Sequence, residues 1–249
     1  YKLNKVFFLY LYKMKAQKQT QLIVALDTNS IEGALSIADR IGNKVDWFKV
    51  GKQLFCSHGP IAVKRLKSMG KKVFLDLKFH DIPNTVSQAV CAAAETGADM
   101  INVHASGGSE MMKVAKDALK KKNPDVLLIA VTVLTSMDDE SLRLVLDRND
   151  NYTSAQHVSH LAKLAKTVGL DGVVASAHEI EIIRNACGSN FKLVIPGIRP
   201  SDSSINDQKR IMTPAEAALR GADFIVVGRP ITQSADPASV ADSILREIN

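Results

Sequence analysis

The densest chemistry in the chain lies in one stretch, Asp76-Leu77-Lys78-Phe79-His80-Asp81-Ile82-Pro83-Asn84-Thr85. Side chains alternate along an extended strand, so Asp76 and Lys78 are expected to face one cavity while Leu77 faces away. Two further charges end apolar runs upstream: Asp27 follows Leu22–Leu26, and Lys49 follows Trp47-Phe48. If these runs are neighbouring strands, Lys49 completes an alternating row of acids and amines. Carboxylates favour the charged form of a nearby amine, and an ammonium held in a closed site is a proton donor. A purely structural ion network is the other reading of these charges.

The elements that would position them follow from the apolar pattern. From Gln21 onward, strand-like runs alternate with amphipathic stretches, the signature of a parallel α/β fold. The expected strands are Leu22–Leu26, Trp47–Val50, Lys72–Leu75, Met100–Val103, Leu127–Val133, Gly172–Ala175, Lys192–Ile195 and Phe224–Val227. The stretches between them include Ile31–Ile41, Thr85–Thr96 and Ser154–Val168. Eight strand–helix units in a chain of 249 residues predict a single-domain (β/α)₈ TIM barrel. The Gly-rich first turn of a dinucleotide-binding doubly wound sheet is absent. In a barrel, catalytic side chains project from the C-terminal strand ends, where Asp27, Lys49, Asp76 and Lys78 fall.

The last two expected strands supply an anion site. One runs into Pro196-Gly197-Ile198-Arg199 and the other into Gly228-Arg229-Pro230. Loops after the seventh and eighth strands of barrels frequently bind phosphate, and arginine can hold it through paired hydrogen bonds. Together the two Gly-Arg-bearing ends predict a phosphorylated substrate. The irregular stretch Gly197–Thr213 between them is a candidate lid, because long loops in compact domains usually serve function.

Other features exclude alternatives. The three cysteines, Cys56, Cys91 and Cys187, have no CxxC spacing and read as buried or half-buried free thiols in a reducing cytoplasm. The six histidines show no HExxH pairing; His80 is expected to point away from Lys78, and His104 to lie near the barrel mouth. No repeat or low-complexity segment is evident. Of the net charge of +6, five charges come from lysines within residues 1–20, which contain no acid. The remainder is nearly neutral, which argues against a nucleic-acid-binding role. The apolar run Val6–Tyr12 is too short to cross a bilayer, and the lysines after it do not resemble a signal cleavage site. We expect residues 1–20 to be an N-terminal extension, with the functional start near Met14, and residues 21–249 to form the catalytic barrel.

The chain resembles the bacterial orotidine 5′-phosphate decarboxylase family from about Gln21 to its C-terminus. The resemblance is carried by Ala25-Leu26-Asp27, Phe48-Lys49-Val50-Gly51, Asp76 through Thr85, Leu134-Thr135-Ser136, Pro196 through Arg199, Asp207-Gln208 with Arg210, and Val227 through Pro230. It implies a cytoplasmic, metal-free and cofactor-free decarboxylase in which Lys78 protonates C6 of the pyrimidine and Asp76 lies beside the departing carboxylate. It implies that Lys49 and Asp27 hold the ribose and the charge row, and that Thr135 and Ser136 lie at the base. It places Gln208, Gly228 and Arg229 on the phosphate, with Arg199 at the closing loop. It also implies a homodimer in which Asp81 and Thr85 reach into the partner's site. Magnesium-dependent relatives of the 3-keto-gulonate-6-phosphate decarboxylase and hexulose-phosphate synthase type share the Asp-x-Lys-x-x-Asp core. They carry glutamate where Lys49 stands. A catalytically inactive nucleotide-binding barrel is the remaining alternative, and the presence of Asp76 and Lys78 opposes it.

Overall fold

The computed structural model describes residues 19–200 and 212–249. Its eight strands are β1 (Gln21–Ala25), β2 (Trp47–Gly51), β3 (Lys72–Phe79), β4 (Met100–His104), β5 (Leu127–Val131), β6 (Gly172–Val174), β7 (Lys192–Ile195) and β8 (Phe224–Val227). Each pairs in parallel with its sequence neighbours, and β1 pairs with β8 to close the barrel. The expected (β/α)₈ architecture is therefore observed. Strand ends differ where pairing decides them. β3 runs on to Phe79 because it re-pairs with β4 at Val103. β5 stops at Val131, level with the end of its short neighbour β6.

Alternation along the strands sorts residues into two cores. Outward residues such as Val24, Phe48, Leu75, Ile101 and Ile225 are fully buried beneath the helices. Inward residues Ile23, Trp47, Phe74, Met100, Ile129, Val194, Phe224 and Val226 form a separate plug inside the barrel. Trp47 and Phe224 meet edge to face at 5.4 Å, and the Trp47 Nε1 donates to Gln21 Oε1 at 2.7 Å. The N-terminal end is thus filled with apolar side chains, worth roughly 1.5–3 kcal/mol for each large one fully buried. The polar inward residues Lys49, Asp76 and Asn102 lie above it, toward the C-terminal end.

A short repeat, invisible as sequence similarity, fixes the N-terminal end. Gly97-Ala98-Asp99, Gly169-Leu170-Asp171 and Gly221-Ala222-Asp223 precede β4, β6 and β8. Each glycine has a positive φ (95°, 85° and 97°), so the chain can leave its helix and turn straight into a strand. Each aspartate then accepts from the second amide of the preceding strand: Val73 at 2.7 Å, Leu128 at 2.7 Å and Leu193 at 2.9 Å. Each also pairs with a helix cation, Lys67, Lys116 and Arg184 respectively. One carboxylate therefore ties two strands and a helix together three times around the barrel.

The helices begin where the sequence offers caps. Ser30 accepts from Gly33 N–H before Ile31–Ile41, while Thr153 with Gln156 and Thr213 with Glu216 form capping boxes. Among the described residues, three helices have no counterpart in the amphipathic stretches expected between the strands: Lys52–His58, Asp139–Leu146 and the single turn Arg229–Thr232. The expectation for the cysteines is corrected at Cys56, which is exposed on the first of these; Cys91 is half-buried and Cys187 buried. No helix among the described residues is long and apolar enough to cross a membrane.

Candidate active site

Four of the predicted residues form a continuous row at the C-terminal end of β1, β2 and β3. Lys49 Nζ lies 2.8 Å from Asp27 Oδ1 and 3.4 Å from Asp76 Oδ2. Lys78 Nζ lies 2.5 Å from Asp76 Oδ1. Acid and amine thus alternate as Asp27, Lys49, Asp76, Lys78, from an exposed carboxylate through a buried pair to a half-buried ammonium. The β-register brings Ala25 beside Lys49 and Gly51 beside Asp76. Gly51 is the residue that makes room: a Cβ there would stand 2.8 Å from Lys49 Nζ and 2.9 Å from Asp27 Oδ1.

Burial disfavours the charged form of Asp76. The charges of Lys49 and Lys78, with hydrogen bonds from Lys78 and Asn102, outweigh it and hold the carboxyl below its usual range. Asp76 is therefore an anion throughout the neutral pH range.

The route by which Asp76 and Lys78 come to face one point differs from the expected strand alternation. Lys78 has φ +56° and is one of two non-glycine residues with positive φ among those described. It sits in a bulge where the β3–β4 register shifts between Leu75 and Phe79. His80 lies two residues past Lys78, just beyond this bulge. Its ring packs 5.4 Å from that of His104, at the edge of the site. Burial, then the positive charges of His80, Lys78 and Lys52, push His104 down to about 4, against a smaller opposing pull from Asp76.

Asn102 was not singled out from the sequence. It is fully buried, donates from Nδ2 to Asp76 Oδ1 at 2.7 Å, and accepts the Lys78 backbone N–H at 2.8 Å. The available signal was its parity: a lone amide at an inward position of β4, level with the charged ends of β2 and β3.

Two adjoining cavities open at this end of the barrel. One, about 150 Å³, is lined by Asp76, Lys78 and Thr135 on one side and by Phe74, Val131 and Val194 on the other. The second, about 160 Å³, is lined by Asp27, Gly197, Arg199, Gly228 and Arg229. Lys49, Pro196 and Val226 belong to both, so the two are lobes of one groove. Arg199 is buried and its N–H donates to Met212 O, which ties the two described ends of the candidate lid. A third, larger depression of about 600 Å³ lies at the other end of the barrel. Its Asp171 is already bound to Lys116 and the Leu128 amide, and no row of charges meets there.

The remaining predicted residues are placed differently. Thr135 and Ser136 occupy the centre of a turn closed by Met137 N–H to Leu134 O; Thr135 lines the first lobe and Ser136 is exposed beside it. Asp81 and Thr85 are exposed and stand apart from the row; Asp81 Oδ1 accepts from the following Ile82 N–H. Gln208, with Asp207 and Arg210, lies outside the described residues. No three His, Cys, Asp or Glu side chains converge as metal ligands among the described residues.

A closed parallel barrel with charged side chains converging at its C-terminal mouth defines a (β/α)₈-barrel enzyme with an acid–base site. The family model for Orotidine 5'-phosphate decarboxylase / HUMPS family matches residues 20–244. The chain belongs to this family. It is 55% identical over 218 residues to the orotidine 5'-phosphate decarboxylase of Pectobacterium atrosepticum, covering 87% of each chain. It is 54% identical over 228 residues to that of Pectobacterium carotovorum, covering 91% of this chain and 90% of the relative. Among solved structures, the orotidine 5'-phosphate decarboxylase of Lactobacillus acidophilus matches with a TM-score of 0.81 and 41% identity, over 92% of this chain and 99% of that one.

Proposed function

We propose that this chain decarboxylates orotidine 5′-phosphate to uridine 5′-phosphate and carbon dioxide, completing the formation of the pyrimidine nucleotide. The observation that carries this reading is the row Asp27–Lys49–Asp76–Lys78 set along a groove whose other lobe holds two arginines and two glycines. The first lobe suits a planar base, with apolar walls around its faces and Thr135 and Ser136 at its edge. The second suits a phosphate, with Gly228 allowing close approach and Arg199 and Arg229 supplying paired donors. Asp27 and Lys49, between the lobes, suit the ribose hydroxyls.

The chemistry asked of these residues is specific. When the C6–carboxylate bond breaks, carbon dioxide leaves and the bonding electron pair stays on C6 in the ring plane, where the ring π system cannot delocalise it. The Lys78 ammonium stabilises that charge and then transfers its proton to C6. Asp76, kept ionised, stands beside the substrate carboxylate and is relieved when that charge departs as neutral carbon dioxide. Asp76 also holds Lys78 in place, so the same carboxylate positions the acid and disfavours the bound substrate.

Lys49 separates this reading from magnesium-dependent sugar-phosphate chemistry. Its ammonium fills the space between Asp27 and Asp76, where a divalent cation would need an anionic or neutral oxygen ligand instead. A homodimer with Asp81 and Thr85 shared across the interface accords with their exposure and with Ile82 between them, which is 67% exposed. We take residues 21–249 as the catalytic domain and the cytoplasm as its compartment, in keeping with three unpaired thiols.

The test is conversion of orotidine 5′-phosphate in excess EDTA, followed by ultraviolet absorbance, with Lys78→Ala alongside. Turnover by the wild type that is lost in the variant supports the proposal. Absence of turnover, with activity on a sugar phosphate only after magnesium is added, overturns it.

A further inference from the structure

The Asp76-Leu77-Lys78 segment brings its two charges into contact within a bulge of β3. Between the paired positions Leu75↔Ile101 and Phe79↔Val103, β3 places three residues and β4 one. Lys78 takes the left-handed backbone region at φ +56°, which a side-chain-bearing residue occupies only when its surroundings hold it there. Something must hold this one.

Asn102 is the group in position to do so. It is the middle inward residue of β4, level with Ile129 on β5, and is fully buried. Its Oδ1 accepts from the Lys78 backbone N–H at 2.8 Å, and its Nδ2 donates to Asp76 Oδ1 at 2.7 Å. The amide orientation is fixed by its partners, because reversing it would set NH₂ against N–H and oxygen against carboxylate. The same Asp76 oxygen receives Lys78 Nζ at 2.5 Å. One side chain therefore clips both ends of the Asp-x-Lys unit, one through its backbone and the other through its carboxylate.

We propose that Asn102 is a positioning residue for the reaction: it holds the β3 bulge and thereby sets the Lys78 ammonium against Asp76 in reacting geometry. The inference rests on the decarboxylase reading for its catalytic consequence, and on hydrogen bonding alone for its structural one. Asn102 itself acts through Lys78 and Asp76. The charged and titratable groups facing this point are Asp76 and Lys78 from β3, Lys49 from β2, and His104 from β4 with His80 packed on it.

Two variants test it against wild type, with turnover of orotidine 5′-phosphate, affinity for uridine 5′-phosphate and amide hydrogen exchange across Asp76–Phe79 as readouts. In Asn102→Ala, kcat should fall on the order of 10²-fold, as when a catalytic group is misplaced by about 1 Å, with KM and product affinity near wild type. Unchanged kcat overturns the proposal. So does an equal loss of kcat, substrate affinity and product affinity, which would signal a generally loosened barrel. Asn102→Asp keeps the acceptor for Lys78 N–H but sets a second carboxylate against Asp76. A proton shared by that pair restores the missing donor, so activity relative to wild type should rise as pH falls. A ratio independent of pH overturns the proposal, and this profile decides if Asn102→Ala does not fold. If wild type itself fails to turn over orotidine 5′-phosphate, the decarboxylase reading has failed. Exchange then decides the positioning role: faster exchange at the Lys78 amide in Asn102→Ala supports it, and unchanged exchange overturns it.

Discussion

Gly51→Ala isolates the charge row from the fold that carries it. Gly51 has φ −90° and ψ −179°, an extended conformation that alanine adopts without strain. The cost of the substitution is therefore local crowding. The new Cβ would stand 2.8 Å from Lys49 Nζ and 2.9 Å from Asp27 Oδ1, whereas ordinary contact begins near 3.4 Å. Both atoms end flexible side chains, so the ammonium has to withdraw by about 0.6 Å while the backbone stays. Loss of unfolded-state freedom contributes about 0.4–1 kcal/mol of stability in the variant, offsetting the weakened Lys49–Asp27 pair. Thermal denaturation should therefore change little. Turnover should not be spared, because Lys49 links Asp27 to Asp76 in the row. We expect kcat/KM to fall by roughly 10-fold to 100-fold, since displacements near 1 Å can cost 10²-fold. The assay is ultraviolet-monitored conversion of orotidine 5′-phosphate, with a melting curve on the same preparation. Wild-type activity at unchanged Tm would refute the claim that Lys49 must sit where it does. A large drop in Tm would refute the claim that only side-chain ends yield.

Removing the phosphate from the substrate should lower turnover as well as affinity, because on the proposed reading its contacts at Arg199 and Arg229 help hold the base against Asp76; an unchanged turnover number with orotidine refutes this. Asp223→Ala, which strips a 4% exposed carboxylate from Arg184 and the Leu193 amide, should cost about 3–5 kcal/mol by urea unfolding. Activity per folded molecule should survive, since Asp223 lies at the other end of the barrel, and a loss below about 1 kcal/mol would mean the clamp bears little of the fold's stability. Because folded His104 titrates at about 4 and an unfolded histidine near 6.5, the unfolded chain takes up a proton first as pH falls through that window. Stability is lost over the same range, and His104→Gln should reduce the difference in urea midpoint between pH 7 and pH 4.5. The lowered carboxyl of Asp76 adds a further loss below the ordinary carboxylate range. An identical pH dependence in His104→Gln would show that the ring is not held neutral by its site.

The barrel was legible because a parallel sheet buried on both faces writes its strands as short apolar runs, and eight of them alternate with amphipathic stretches. The charge row was legible for a related reason: Asp27, Lys49 and Asp76 each end such a run, which is where a barrel exposes its interior. What could not be read is whatever depends on partners distant in the chain. The left-handed Lys78 is set by Asn102 across a bulge, and no residue type at positions 76–79 announces it. His80 packs on His104, a pairing between positions distant in the chain that no local pattern announces. Helix Lys52–His58 starts directly from the strand end at Gly51, with no side-chain cap to mark its first turn. The three Gly-x-Asp turns are not legible as a repeat, because three residues at uneven spacing carry little signal. Their equivalence appears only when each carboxylate is seen to accept from the strand beside it.

These observations divide the molecule by function along the barrel axis. At the N-terminal end, Asp99, Asp171 and Asp223 are each bonded to a strand amide and a cation, so their charges are spent on holding strands in register. At the C-terminal end, Asp76 bonds to side chains, with its amide donor supplied by Asn102 and its charge left facing the groove. A carboxylate tied to backbone amides stabilises a structure that is already complete. One tied to side-chain ammonium groups keeps its charge toward the groove, where on the proposed reading it opposes the substrate carboxylate. The strained Lys78 backbone belongs with the second arrangement: a regular strand would direct the ammonium by alternation alone, whereas the bulge brings it within 2.5 Å of the carboxylate two residues before it. The barrel's regular end supplies the stability against which that local irregularity is maintained.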